Sequence, residues 1–489
     1  MKRAVLLLIA GMILVMLAGC GGMDEYDGMP PLPRFDADAD DVSAPEPDVQ
    51  EPRRHDEPLF LSELSIPFDR AAELFAAAEA IFDEDGGALW GTHLGAAFMF
   101  FDPATNHAVA NRPVRDDSFF EHDGLYVGVL PEEALGGAGG VTRFDATRWA
   151  MMRWTGTEDF EDVWILQQMV RMAVDLQPSV IFGLGGTSGA MYNPHLGELF
   201  ARVSVQMEIN ALMEAYISGG GDAMMDALHD ALAIRAERRG RIFNIGRTEN
   251  SNEISSGMGI YTELVLARRE KDLKIEWLEM FIDAAITNGG QSLAWSYSQV
   301  SGVLYALLLD EIGVEWREGV RATHGSATNL GELLASAIGI TEPMAIGLVD
   351  LERYGYSEIT AAEITWMENN ERMTQEAFEA FDGVPVLRID NTGNWGFYGE
   401  FEALWVPQLP TPAGGWSGQV FYGDFEYSGN FGTITFTQGR MLIGHPYHRV
   451  PAARMDTFGS TIIGYDWVLE LSDDYAIEAT DNGFRVVER

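Results

Sequence analysis

The chain is 489 residues long, sets 75 acidic against 32 basic residues for a net charge of −43, and is 47% hydrophobic and 11% aromatic. That charge argues against nucleic acid and anionic lipid headgroups as partners, since both carry the protein's own sign. The only cysteine is Cys20, so no disulfide can form within the chain.

Residues 1–20 carry Lys2 and Arg3, an apolar run from Ala4 to Ala18, and then Gly19 and Cys20. A charged start, a short apolar stretch and small residues before a cut are the pattern of an export signal rather than a membrane span. Leu17-Ala18-Gly19-Cys20 resembles the lipobox of bacterial lipoproteins, which implies a lipid on Cys20, an anchor in the bacterial membrane and a globular part outside the cytoplasm. Gly21 follows where an inner-membrane retention signal would place Asp, so in a cell with two membranes the outer one is implied. Residues 21–58 are expected to be a disordered tether: residues 23–58 hold 12 Asp or Glu against three Arg, with seven Pro.

Residues 59–489 have the composition of a folded protein, and the expected fold class is α+β. A small α/β subdomain is assigned to residues 59–157. Ser65 and Pro67 start a helix that Gly86-Gly87 ends, and short strand-like runs follow at Leu89–Thr92, Ala96–Phe101, His107–Asn111, Leu125–Leu130 and Arg148–Trp154. Residues 158–382 are expected to be mostly helical. Asp159 to Gln177 opens them with Val163, Leu166, Val170, Ala173 and Val174 at helical spacing. Further helices are expected over 195–218, 222–239, 252–271, 275–286, 292–309, 330–337, 341–353 and 359–381. From residue 383 to 489 aromatic and β-branched residues alternate with Gly, Asp and Asn, as in an all-β sandwich or barrel. Lysine occurs only as Lys2, Lys271 and Lys274, an acidic, lysine-poor balance that fits a saline habitat or a drift toward arginine.

The run Trp149 to Trp154, Gln177-Pro178, Asn193 to Leu196, Glu208 to Leu212, DALAIRAERRGRIF from Asp230, SGMGIYTE from Ser256 and SYSQVSGVLYALLLDEIGVEWR from Ser296 together resemble an uncharacterised bacterial family. Its members carry H-E-x-x-H on the first helix and E-G-x-x-E-Y-T on a later one, the ligand pattern of gluzincin-type zinc peptidases. In such a site two His and a distant Glu hold zinc while a second Glu activates water. Carried over position by position, the His fall on Val170 and Val174, the base on Arg171, the ligand Glu on Ser256 and the following Glu on Ile260, while Tyr261 and Thr262 are retained. Valine has no ligating atom and arginine no acceptor. The resemblance therefore implies a scaffold without its chemistry: no catalytic residue, no cofactor, and a cleft left to bind a protein, peptide or envelope glycan.

Two alternatives stay open, a hydrolase with a relocated site and a purely structural envelope protein. For the first, His445 and His448 in HPYH are the pair a zinc-dependent variant would use. Ser188 in GTSGA nearly imitates a nucleophile elbow, but Ala190 breaks the pattern. Carboxylate pairs such as Glu161 and Asp162 are too common for one to be singled out as an acid/base pair. His195 fits the start of a helix. In the last module Trp395, Phe397, Tyr398, Phe401, Trp405, Trp416, Phe421, Tyr422, Phe425 and Tyr427 form either a stacking platform or a core. A concave, polar cleft beside Arg171 and Ser256 would favour binding, and a filled, dry contact would favour the structural alternative.

Overall fold

The computed structural model describes residues 61–131, 134, 140–154, 160–177, 181, 193–268, 270–287, 291–322, 328–379, 381, 385–390, 395–406, 418–443, 447–452, 455–472, 474–480 and 483–489. Their architecture is α+β. Cys20, the tether, Ser188 and His445 lie outside the described residues. The chain divides into two compact units: described residues up to Glu79 with Ala96–Ile165, and Ala80–Gly95 with Leu166–Arg489.

Helix α1 (Phe68–Asp85), of which the first unit holds the part up to Glu79, starts directly after Pro67, whose carbonyl takes the Ala71 N–H at 3.1 Å. The helix stops at Gly86, which adopts φ 56, a left-handed conformation that glycine enters without steric cost. Strands β1 (Phe98–Phe101), β2 (His107–Ala110), β3 (Phe120–His122), β4 (Leu125–Val129), β5 (Val141–Phe144) and β6 (Thr147–Arg153) form a sheet in the order β3-β4-β2-β1-β6-β5. Only the β1–β6 pair is parallel. Strand β1, the run FMFF, is buried on both faces. Met99 and Phe101 join Trp149 and Met151 in one core, while Phe100 stacks on Phe75 of α1 with ring centroids 4.9 Å apart. The run Leu89–Thr92 is turn and bend rather than strand. Trp90 within it is a buried anchor, so its apolar character reflects burial and not a pleat.

The second unit contains α2 from Leu166 onward (the helix runs Phe160–Leu176), α3 (Leu199–Ser218), α4 (Gly221–Arg241), α5 (Ile245–Leu266), α6 (Lys271–Thr287), α7 (Gln291–Ile312), α8 (Arg317–Ala322), α9 (Leu330–Ala337) and α10 (Tyr356–Glu379). Helices α3, α5 and α7 are buried nearly all round, as expected of central rather than surface helices. Gly257 and Gly302 let α5 and α7 touch backbone to backbone: a Cβ on Gly257 would stand 3.1 Å from the Gly302 Cα, and one on Gly302 would stand 2.4 Å from the Glu253 carbonyl oxygen. Several boundaries differ from expectation. The helix expected from 195 starts at Leu199 after the 3-10 turn Pro194–Gly197, the one expected to reach 271 ends at Leu266, and the next starts at Lys271 rather than 275. Helix α5 begins at Ile245, not near 252, because Asn244 turns the chain at φ 61 and the polar stretch after it faces buried partners. Residues 341–353 make no α-helix; Pro343 and Gly347 leave only the 3-10 turns Ile346–Leu348 and Leu351–Tyr354.

The same unit carries ten strands: β7 (Val386–Asp390), β8 (Trp395–Val406), β9 (Gly418–Gly429), β10 (Gly432–Ile443), β11 (Tyr447–Pro451), β12 (Asp456–Phe458), β13 (Thr461–Ile463), β14 (Trp467–Leu471), β15 (Tyr475–Thr480) and β16 (Gly483–Glu488). All belong to one sheet, ordered β12-β13-β14-β10-β11-β7-β16-β15 with β9 also on β10 and β8 on β9. The pairing is antiparallel except for β16 with β7. Phe425, Tyr427, Ile434, Phe436, Trp467 and Leu469 are among the side chains filling its core, and Phe425 stacks on Phe436 at 4.3 Å.

Candidate functional site

Of the positions singled out by the peptidase resemblance, Arg171 on α2 lies against α5 at Gly259. A Cβ on Gly259 would lie 3.3 Å from Arg171 Cγ, 3.4 Å from Asp175 Oδ1 and 3.6 Å from the Arg171 carbonyl oxygen, so the glycine seats one helix directly against the other. Val170 and Ile260 are fully buried and Val174 nearly so, while Ser256 is buried and its hydroxyl has no hydrogen-bond partner among the described residues. Arg171 is half-buried. No imidazole stands among these residues.

One turn beyond Gly259, Glu263 is wholly buried and neither carboxylate oxygen receives a hydrogen bond from the described residues. Arg268 Nε stands 4.0 Å away, an ion-pair distance beyond hydrogen-bond reach, while Arg268 Nη2 donates instead to Gln167 Oε1 at 2.6 Å. Burial pushes the Glu263 carboxyl above its ordinary range, and the positive charges of Arg171 and Arg268 only partly oppose the shift. With the folded-state value raised, stability is greatest below the unfolded carboxyl value and falls as pH rises through the folded one. Glu263→Gln cannot ionise; it is expected to be more stable than the parent at pH 7.5, with the gap closing toward pH 4, as read by urea unfolding at both values.

The retained Tyr261 and Thr262 tie helices together. Tyr261 donates to Asp310 Oδ2 at 2.6 Å and accepts from Arg317, and Trp316 Nε1 donates to Asp310 Oδ1 at 2.8 Å. Thr262 accepts from Trp90 Nε1 at 2.9 Å and donates to the Met258 carbonyl at 2.7 Å. Trp90, Tyr261 and Trp316 meet edge to face with centroids 5.4–6.0 Å apart.

A second buried constellation went unforeseen: an ionic network between α3, α4, α5 and α7. Arg235 donates from Nη1 to Glu208 at 2.9 Å, and from both Nη atoms to Glu253 at 2.6 and 2.7 Å. Arg238 donates to the other oxygen of Glu208, to both oxygens of Glu249 at 3.0 and 3.3 Å, and to Tyr297 at 2.6 Å. Arg239 reaches Glu249 Oε2 at 2.7 Å, Tyr305 donates to Glu208 Oε1 at 2.8 Å, and Ser301 donates to Glu253 at 3.0 Å. Three carboxylates thus face three guanidinium groups and the set is neutral. Burial alone would raise Glu208 and Glu249, but Arg238 first among the cations holds both below the usual carboxylate range. His195 Nε2 lies 3.1 Å from Glu249 Oε1 without the alignment of a hydrogen bond. That places His195 beside the network and not at the α2–α5 crossing. The signal was in DALAIRAERRGRIF, where Arg235 and Arg238 share a helix face with the apolar Ala231 and, just before the run, Leu228.

His448 is fully buried in the sheet core, its ring edge-on to Tyr427 at 5.3 Å, and burial pulls its imidazole down to about 4. Of the ten aromatics considered as a platform, Phe425 and Tyr427 are core residues; the side chains of the other eight lie outside the described residues. The helices also border an open groove of about 460 Å³, lined in part by Met213, Glu214, Ile217, Arg353 and Tyr354, where Arg353 pairs with Glu214. Among the described residues no helix is long and apolar enough to cross a membrane. No family model, no curated protein and no solved structure matches this chain.

Proposed function

We propose that this chain is an exported bacterial lipoprotein, anchored through Cys20, whose helical unit is a non-catalytic scaffold of peptidase-like layout that binds a protein, peptide or envelope polymer. The observation that carries the non-catalytic part is the α2–α5 crossing. Val170, Val174 and Ile260 occupy the positions where the family's chemistry would sit, and all three are packed as core. A zinc site needs imidazole or carboxylate ligands by identity, and a packed valine supplies dispersion contacts only. The open groove by Arg353, with apolar and charged groups side by side, supports a binding role on the same helical unit.

The purely structural alternative draws on the neutral ionic network, which ties four helices together without an open coordination position. Hydrolysis separates both from a relocated active site. Turnover of unfolded protein and of short peptides by the purified chain, with and without added zinc, is expected to stay at background and to be unaffected by chelator. Chelator-sensitive turnover would overturn the proposal.

A further inference from the structure

The turn from α4 into α5 departs from the rest of the surface. Residues 238–248 hold four arginines, Arg238, Arg239, Arg241 and Arg247, and no acidic residue, in a chain whose net charge is −43. Arg238 and Arg239 are engaged with Glu249. Arg241 keeps 60% of its side chain exposed while pairing with Glu237 at 2.6 Å, and Arg247 is exposed. Between them Phe243 projects with 97% of its surface open to solvent, the most exposed large hydrophobic among the described residues.

The projection is built. Asn244 sets the turn at φ 61, Arg239 Nη2 fastens α4 to Asn250 of α5 at 2.8 Å, and the Arg241 guanidinium lies 4.7 Å from the Phe200 ring centroid. The turn thus presents one exposed aromatic ring, flanked in sequence by Arg241, which also engages Glu237 and Phe200, and by the exposed Arg247.

We propose that the Ile242–Asn244 turn is a membrane-contact point: Phe243 enters the boundary between headgroups and acyl chains of an anionic phospholipid surface, and Arg241 and Arg247 sit on lipid phosphates. The acidity of the whole chain does not oppose this. At physiological ionic strength charges farther than about 8 Å are largely screened, so the local arginines set the interaction. A lone projecting ring beside arginines suits a lipid surface: a standard protein interface buries about 800 Å² per side, apolar and polar together, around a packed centre, and this turn offers a single exposed ring. The inference does not depend on the Cys20 anchor.

The test uses the unlipidated chain from Gly21 to Arg489, floated with vesicles of phosphatidylcholine alone or with 30% phosphatidylglycerol. Binding is expected only to the anionic vesicles and is expected to weaken with salt. Phe243→Ser and the double change Arg241→Gln with Arg247→Gln should each reduce it roughly tenfold or more. Tyr465→Ser, at an aromatic 86% exposed elsewhere, should leave it unchanged. Because these are surface positions, melting temperatures should stay within about 2 °C of the parent, which separates loss of contact from loss of fold. The proposal is overturned by absence of vesicle binding, by binding indifferent to Phe243→Ser, or by equal loss in Tyr465→Ser. Arginine-dependent binding to polyglutamate but not to vesicles would also overturn it, making the turn a protein contact.

Discussion

Replacing Arg238 by Met is expected to destabilise the helical unit by about 3–5 kcal/mol, the largest effect of any single change considered for this protein. Arg238 is fully buried and serves Glu208, Glu249 and Tyr297 at once. Its removal leaves the three buried carboxylates Glu208, Glu249 and Glu253 with only Arg235 and Arg239 as cations, so one negative charge is uncompensated. Methionine fills much of the volume, so the loss reports electrostatics and unmade hydrogen bonds rather than a cavity. The double variant Arg238→Met with Glu249→Gln restores charge balance and should recover part of the loss, a coupling of more than about 1 kcal/mol in the cycle. Urea unfolding followed by circular dichroism measures both. A loss under about 1 kcal/mol for Arg238→Met would show that water reaches the network and that the helices do not depend on it.

The second large effect is acid sensitivity of the sheet. Burial lowers His448 from 6.5 to about 4, so the folded protein excludes a proton that the unfolded chain binds. For a group with a depressed folded value, the stabilisation is complete above the unfolded value of 6.5 and is lost as pH falls through the folded value near 4. The full span amounts to about 3 kcal/mol. His448→Gln, which cannot take up that proton, should flatten the stability curve between pH 6.5 and pH 4 relative to the parent. Parallel curves for the two proteins would place His448 in contact with solvent in the native state.

How much of this was legible in the sequence depended on whether an element declared itself locally. Helix α1 carries its own start at Pro67 and stop at Gly86, and strand β1 its own FMFF run, so both were readable. Helix α5 was not readable at its start. Residues 246–253, GRTENSNE, look like a solvated loop, yet Glu249, Asn252 and Glu253 are fully buried. Arg238 and Arg235, the partners of Glu249 and Glu253, lie on another helix, and Asn252 donates to Asn193 farther back in the chain; pairing at that separation leaves no periodic trace in either stretch. Valine at 170 and 174 offers no ligating atom whatever the fold, so that much was readable without a structure. Glu263 was missed because a lone acid after Tyr261-Thr262 resembles any surface carboxylate until its burial is known.

Zinc content of the natural chain tests the central claim most directly. The purified protein is loaded with zinc, desalted and analysed by mass spectrometry under non-denaturing conditions. A scaffold with Val170, Arg171, Val174 and Ser256 at the ligand and base positions should retain well under one-tenth of an equivalent, in keeping with the identity requirement for zinc ligands. Retention of about one tightly held zinc per chain would contradict the account and turn attention to His448 and the carboxylates beyond the α2–α5 crossing.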